Sequence, residues 1–240
     1  MADVSIYWFR DDLRLTDLPG LTAAAQAGPV IPVFVRDPDL GDTWRIGSAS
    51  QWWLHHSLLS LYTRLAETGL DLILKSGETI AALTTLAEQT GATTVYCSRH
   101  YQPWSAGLET VLRDQLSNKG VELKRYPGTL LHEPEDVATV SGTPFKVFTP
   151  FWRACNRRPQ PHQPLPAPEL TAYDGKIESE ELSDWQLLPT SPNWATGWND
   201  LWSPGEAGAQ AALNQFLDQH VQDYGDGRDV PAEPNTSKLS

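Results

Sequence analysis

The sequence has little cysteine, no long apolar run and no surplus of positive charge, and each shortage closes off a class of function. There are two cysteines among 240 residues, Cys97 and Cys155, far apart and without metal-ligand spacing. A disulfide framework and a zinc site are therefore set aside, and two buried thiols in a reducing compartment are expected. No stretch approaches the ~18 apolar residues of a membrane-spanning helix, so no membrane partner is expected. The first ten residues, Met1 to Arg10, lack the basic start and apolar core of a secretory signal, which points to the cytoplasm. Dinucleotide and P-loop fingerprints are missing too. The close glycine pair Gly225 and Gly227 has Val230 where a third glycine would be needed. The net charge of −12 argues against an autonomous DNA binder. That charge is uneven, with 11 basic and 14 acidic residues in 1–132 but 7 and 16 in 133–240.

What is present alternates. Short apolar, β-branched runs at 4–9, 30–35, 70–74, 93–97 and 121–125 predict strands. Helical patterns lie between them. The first centres on Ala23 to Ala27. The longest runs from about Ser50 to Glu67, with Leu54, Leu58, Leu61 and Leu65 on one face, Ser48 or Ser50 as its cap and Gly69 as its stop. The third covers Glu78 to Gln89 before Gly91, and the fourth Ser105 to Asn118 before Gly120. Five such alternations predict an α/β fold with a doubly wound five-stranded parallel sheet, because each crossover helix must cover a sheet face. Ligands in such sheets sit outside the carboxyl ends of the strands, here near Arg10 to Arg14, Arg36 to Asp42, Lys75 to Gly77 and Ser98 to Trp104.

Composition changes after residue 132. Eleven of the 19 prolines fall between 133 and 204, a density expected to prevent continuous helix or central strand. This predicts a connector draped over the protein, docked by Trp185, Trp194, Trp198 and Trp202. From Gly205 a helical period returns through Ala209, Ala212, Leu213, Phe216, Leu217 and Val221, a helix whose apolar face has almost no partner after it. The expected division is 1–132, 133–204 and 205–240. His55-His56 and His100 lack ligand partners at metal spacing, so no metal is expected. Trp52-Trp53 reads as the core side and the surface side of one helix. The alternating acids and bases of Arg10-Asp11-Asp12-Leu13-Arg14, taken alone, read as surface salt bridging.

As a string, however, Trp8-Phe9-Arg10-Asp11-Asp12-Leu13-Arg14-Leu15-Thr16-Asp17 closely resembles the opening signature of the DNA photolyase/cryptochrome family, Trp-x-Arg-x-Asp-Leu-Arg-Leu-x-Asp. It departs at Leu18, usually Asn, and at Gly20, usually Ala. Gly142 to Trp152 resembles the family's Tyr-Lys-Val-Phe-Thr-Pro-Phe segment, and Trp202-x-Pro204-Gly205-Glu206-x-x-Ala209 the entry to its helical domain. The tail, with Tyr224, Arg228-Asp229-x-Pro231 and Thr236 to Ser240, resembles the start of the family's FAD site.

The resemblance implies the amino-terminal half of a flavoprotein in which reduced FAD, on absorbing light, donates an electron to a cyclobutane pyrimidine dimer. It implies FAD contacts at Tyr224, Thr236, Ser237, Lys238, Leu239 and Ser240, with Lys238 where Arg is common. It implies a contact of Arg228 with UV-damaged DNA. No catalytic residue is assigned within the chain, a monomer is expected, and the fragment is expected to be inactive alone. Hydroxyls and backbone N–H groups suit a pyrophosphate; on the residues alone, a helix cap and a solvated Arg228 is the competing reading. A second, antenna chromophore is common in the family. The Asn-Glu pair of folate-binding members is replaced by Trp104-Ser105, leaving Arg99, His100, Tyr101 and Trp104 to line a different pocket or none. A cryptochrome-type light receptor and a stand-alone α/β module are the alternatives.

Overall fold

A computed structural model describes residues 3–40, 45–230 and 236. Five strands, β1 (Ser5–Phe9), β2 (Val30–Arg36), β3 (Ile73–Ser76), β4 (Thr94–Ser98) and β5 (Glu122–Tyr126), form one sheet in the order β3-β2-β1-β4-β5. Every pairing is parallel. The crossovers are α1 (Pro19–Ala27), α2 (Ser48–Glu67), α3 (Thr79–Thr90) and α4 (Ser105–Ser117). Alternation along the strands divides the core in two. Tyr7, Phe9, Phe34 and Tyr96 face α1 and α2 through Leu21, Leu58, Leu61 and Leu65. Ile6, Trp8, Ile31, Val33, Val95 and Cys97 face α3 and α4 through Leu83, Leu86, Leu112 and Leu116. Burial on that second face pushes the Cys97 thiol up to about 12, so it is an inert packing group. Winding reverses between β1 and β4, which makes the crevice outside their carboxyl ends the switch point of the sheet.

Two boundaries differ from the sequence reading. The third strand begins at Ile73, not at residue 70. Leu70 is buried, but its N–H closes the end of α2 by donating to Leu65 O at 3.1 Å, so its backbone belongs to the helix stop. The cap of α2 is Gly47, extended at ψ 171°; Ser48 and Ser50 are already helical and their hydroxyls cap nothing. The expected stops at Gly69 and Gly91 hold, at φ +80° and +67°.

The connector is fastened rather than merely draped, and it is not free of helix. Val30 donates to Thr171 O at 2.9 Å, and Glu180 N–H to Leu74 O at 3.0 Å. Trp185 and Leu187 complete the first core. The Trp185 indole N–H donates to Glu180 at 2.7 Å, while Glu180 also accepts from the Ser76 amide and hydroxyl. Burial alone would raise the Glu180 carboxyl, but those donors outweigh it and hold it below its ordinary value. Trp52 is buried where Trp53 is 43% exposed, and both meet connector indoles, Trp198 at 5.2 Å and Trp202 at 5.9 Å. Contrary to expectation, a nine-residue helix, α5 (Phe148–Asn156), forms inside the proline-rich stretch. Pro150 sits in its first turn, where no intrahelical N–H is missed. Beyond it lie α6 (Trp198–Leu201), α7 (Glu206–Gln219) and α8 (Tyr224–Gly227), none with a buried residue.

Candidate functional site

The signature loop leaves β1 at the switch point, and two of its charges, Arg10 and Asp12, are buried, while Asp11 stays exposed. Arg10 and Asp12 are 6% and 3% exposed, which overturns the salt-bridging reading of these residues taken alone. The Arg10 guanidinium lies 4.4 Å from the Trp8 ring and donates to Ser98 O at 3.2 Å and to Glu109 at 2.5 Å. The other oxygen of Glu109 accepts from Arg125 at 2.5 Å, so one buried carboxylate serves two arginines. Asp12 accepts from the Arg10 amide at 3.0 Å and from the Ser98 hydroxyl at 2.5 Å, tying the tip of β1 to the tip of β4. The Tyr7 hydroxyl joins them from below, its pKa raised by burial and by Asp12.

Four residues on, the same loop holds three distant segments together. Arg14 donates to Gly128 O at 2.5 Å and to Thr16 O and Asp17 O. Asp17, at φ +52°, exchanges hydrogen bonds with Leu165 of the connector. Glu206, in the first turn of α7, accepts from the amides of Leu15 at 3.0 Å and Thr16 at 2.9 Å and from the Thr16 hydroxyl. Burial pulls the Glu206 carboxyl up, but the Thr16 hydroxyl and the two amides outweigh it and hold it below its ordinary value. Glu206 stands in a recognisable motif, yet its only local signal is that of an acid in a helix's first turn.

At the tip of β4 the candidate antenna residues face acids. Arg99 and the Tyr101 hydroxyl both donate to Glu133, at 2.9 Å and 2.6 Å. Burial and Glu133 raise the Tyr101 pKa. His100 Nε2 lies 2.6 Å from Asp11, and this hydrogen bond holds the Asp11 carboxyl below its ordinary value. Trp104 stands edge-on to His100 at 5.5 Å. Three buried side-chain atoms of the loops after β1 and β4, Arg10 Nη2, His100 Nδ1 and Gln102 Oε1, have no hydrogen-bond partner among the described residues. No cluster of metal-ligating side chains occurs among the described residues.

The flavin-site candidates lie apart from this crevice, past the end of α7. Tyr224 is 42% exposed, with Phe216 edge-on at 5.9 Å. The Arg228 guanidinium lies 5.9 Å from the Tyr224 ring and 3.8 Å from Asp229. Thr236 is exposed. Ser237, Lys238, Leu239 and Ser240 lie outside the described residues. The structure thus brings Tyr224 and Arg228 together and does not bring the signature loop to them; that loop holds the start of α7, and Tyr224 and Arg228 lie beyond its end, on α8 and just after it.

Residues 5–169 match the family model described as DNA photolyase. A deoxyribodipyrimidine photo-lyase of Agrobacterium fabrum is 45% identical over 98% of this chain and 49% of its own length. Cryptochrome-2 of Arabidopsis thaliana is 32% identical over 100% of this chain and 40% of its own. Among solved structures, a bacterial class III photolyase from Agrobacterium tumefaciens superposes with a TM-score of 0.94 at 44% identity, covering all of this chain and 50% of that one. The chain spans about half the length of these relatives.

Proposed function

The chain belongs to the DNA photolyase family, and from that premise we propose that it supplies the amino-terminal half of a light-driven repair enzyme for cyclobutane pyrimidine dimers in DNA. What carries the reading is the 45% identity to a deoxyribodipyrimidine photo-lyase across nearly the whole chain, against 32% to a cryptochrome. In this reading residues 1–132 are the α/β domain, 133–204 the connector and 205–240 the first part of the helical flavin domain.

The described residues fit one edge of a FAD site. An exposed aromatic and an exposed cation stand side by side at Tyr224 and Arg228, and in the sequence hydroxyl residues follow at Thr236, Ser237 and Ser240. Tyr224 and the run Thr236 to Ser240 would hold the cofactor, which when bound and reduced supplies the photoexcited electron. Arg228 would pair with a phosphate of the damaged strand and fix its register. A dimer weakens its own base pairing, which lowers the cost of flipping it out of the duplex. Glu206 and the Leu15–Thr16 amides would fix where α7 begins and hence where this wall stands. A second chromophore would lie near the tips of β1 and β4, beside Arg99, His100, Tyr101 and Trp104. Trp104-Ser105 in place of an Asn-Glu pair speaks against a folate there.

The test is repair of a thymine-dimer oligonucleotide under blue light by the product of the complete reading frame. Restored undimerised thymine is the expected result. A flavin-loaded product that leaves the dimer intact would support a light receptor instead. The 240-residue chain alone is expected to purify without stoichiometric flavin; a yellow chain with one FAD would contradict the division drawn here.

A further inference from the structure

Past α5 the connector runs on as a proline-rich strand that pairs with nothing. Residues 159–168 hold five prolines, Pro159, Pro161, Pro164, Pro166 and Pro168. Each fixes its own φ, and four of the other five residues precede a proline and are held extended by it. Only His162 escapes both restrictions. No helix or strand covers the run. From Pro159 to Pro164 no group hydrogen-bonds to any other described residue.

Both ends are fixed all the same. Arg158 donates to Asp136 O at 2.5 Å and pairs with the Asp136 carboxylate at 3.4 Å. Leu165 O accepts from the Asp17 amide at 2.8 Å, and the Leu165 amide donates to the Asp17 carboxylate at 3.2 Å. Burial follows a period of three. Leu165 and Pro168 are half-buried, while Pro161, Pro164 and Ala167 are exposed. That is the repeat of a polyproline II helix, in which residues three apart share an edge.

A proline-rich spacer needs only reach and stiffness. This run bridges no gap, since Asp136 and Asp17 pin it at both ends. What the pins achieve is one fixed conformation for two exposed prolines and a row of free carbonyls. Such a strand gives up little entropy on binding. Its complement is a groove lined by aromatic rings, the surface that receives Pro-x-x-Pro segments. Arg157, exposed and in no ion pair among the described residues, stands at the amino end of the run. A carboxylate at one end of the groove would meet it and set the direction of the strand.

We propose that residues 157–164 are a docking strand for a partner protein that carries an aromatic-lined groove with an acidic end. Pro161 and Pro164 enter the aromatic pockets, and Arg157 meets the acid. The contact needs neither flavin, light nor DNA, and it lies apart from the tips of β1 and β4.

The probe is an isotopically labelled SH3 domain that selects an arginine followed by Pro-x-x-Pro, titrated with the unlabelled 240-residue chain. A Kd on the order of 100 μM is expected, with the shifted resonances confined to the aromatic groove. Pro161→Ala with Pro164→Ala is expected to weaken binding at least ~tenfold. Arg157→Glu is expected to weaken it about fivefold and to remove its salt dependence. Pro166→Ala, beyond the Leu165 pin, is expected to change the Kd by less than ~twofold. All four positions are exposed, so unchanged thermal melting certifies the fold. If the parent chain leaves the groove resonances unmoved, the run is a spacer and the proposal is wrong. Binding that survives the paired proline change, or that only Arg157→Glu removes, is an ionic contact and overturns the proposal equally.

Discussion

Arginines 10 and 153 sit in similar sequence surroundings, each beside an aromatic and close to further charge, yet they end in opposite environments. Arg10 is 6% exposed and shares Glu109 with Arg125. Arg153 is exposed and pairs with nothing among the described residues. The difference lies not in the local pattern but in what the topology delivers. Parallel crossovers bring Glu109, 99 residues away, under the tip of β1. Among the described residues no acid pairs with Arg153, and only Asp136 reaches the end of α5, where it meets Arg158. A buried charge is therefore an architectural commitment, whereas an unpaired exposed one is available for a partner.

The sharpest way to break that contrast is to remove the acid. Glu109→Ala leaves Arg10 buried beside an uncompensated carbonyl environment and Arg125 without its partner. A destabilisation of about 3–5 kcal/mol is expected, the range for breaking one side of a buried pair. Urea unfolding measures it. The double variant Arg10→Met with Glu109→Leu is expected to recover part of the loss, because no buried charge is orphaned and the remaining Arg125, half-exposed, stays in water. A single variant costing under ~1 kcal/mol, typical of exposed pairs, would mean that water reaches the site and that the two regions do not differ in kind.

Alternation of strand and helix was legible because each element satisfies itself locally: period, cap and stop lie within about 20 residues of one another. The same locality explains the errors. Apolar Leu70 extends the expected third strand forward, though its amide is committed to the stop of α2. Proline density over the whole stretch hides the helix at 148–156, where Pro150 stands in the first turn and breaks nothing. The membership was legible in Trp8 to Asp17 as a string, but the work of that string was not. Asp12 bonds Ser98, Arg14 bonds Gly128, Asp17 bonds Leu165 and Thr16 bonds Glu206. None of those partners is within reach of sequence spacing. The flavin-site candidates gained one structural observation, the pairing of Tyr224 with Arg228; the residues after them lie mostly outside the described range.

Glu206 occupies the ground between the two extremes, half-buried and bonded to neutral donors. Its folded carboxyl is held below the ordinary 4.5. The sign follows: its contribution is complete above the ordinary value and is lost as pH falls through the lowered one. Hydrogen bonds to a charged acceptor contribute about 1.5–3 kcal/mol, here divided over an exposed edge, so Glu206→Gln is expected to cost ~1 kcal/mol at neutral pH. Hydrogen exchange at the Leu15 and Thr16 amides is the measurement, with protection falling about fivefold to tenfold. At a pH below the lowered value the variant and the parent should exchange alike. A gap that stays constant down the titration would show that shape, not charge, fixes the start of α7.

The smallest effect is expected on the exposed side. Arg157 follows the last turn of α5 with helical φ of −86° and makes no ion pair among the described residues. Its one stabilising role is a cation near the helix's carboxyl end, worth about 0.3–1 kcal/mol at low salt. Arg157→Ala should therefore lower stability by no more than ~0.5 kcal/mol. The loss should vanish in 1 M salt, where the screening length falls to about 3 Å. Thermal melts at two salt concentrations read this directly. A loss several times larger, or one that salt does not remove, would place Arg157 in a packed contact and would take from α5 the free cation on which the contrast with Arg10 rests.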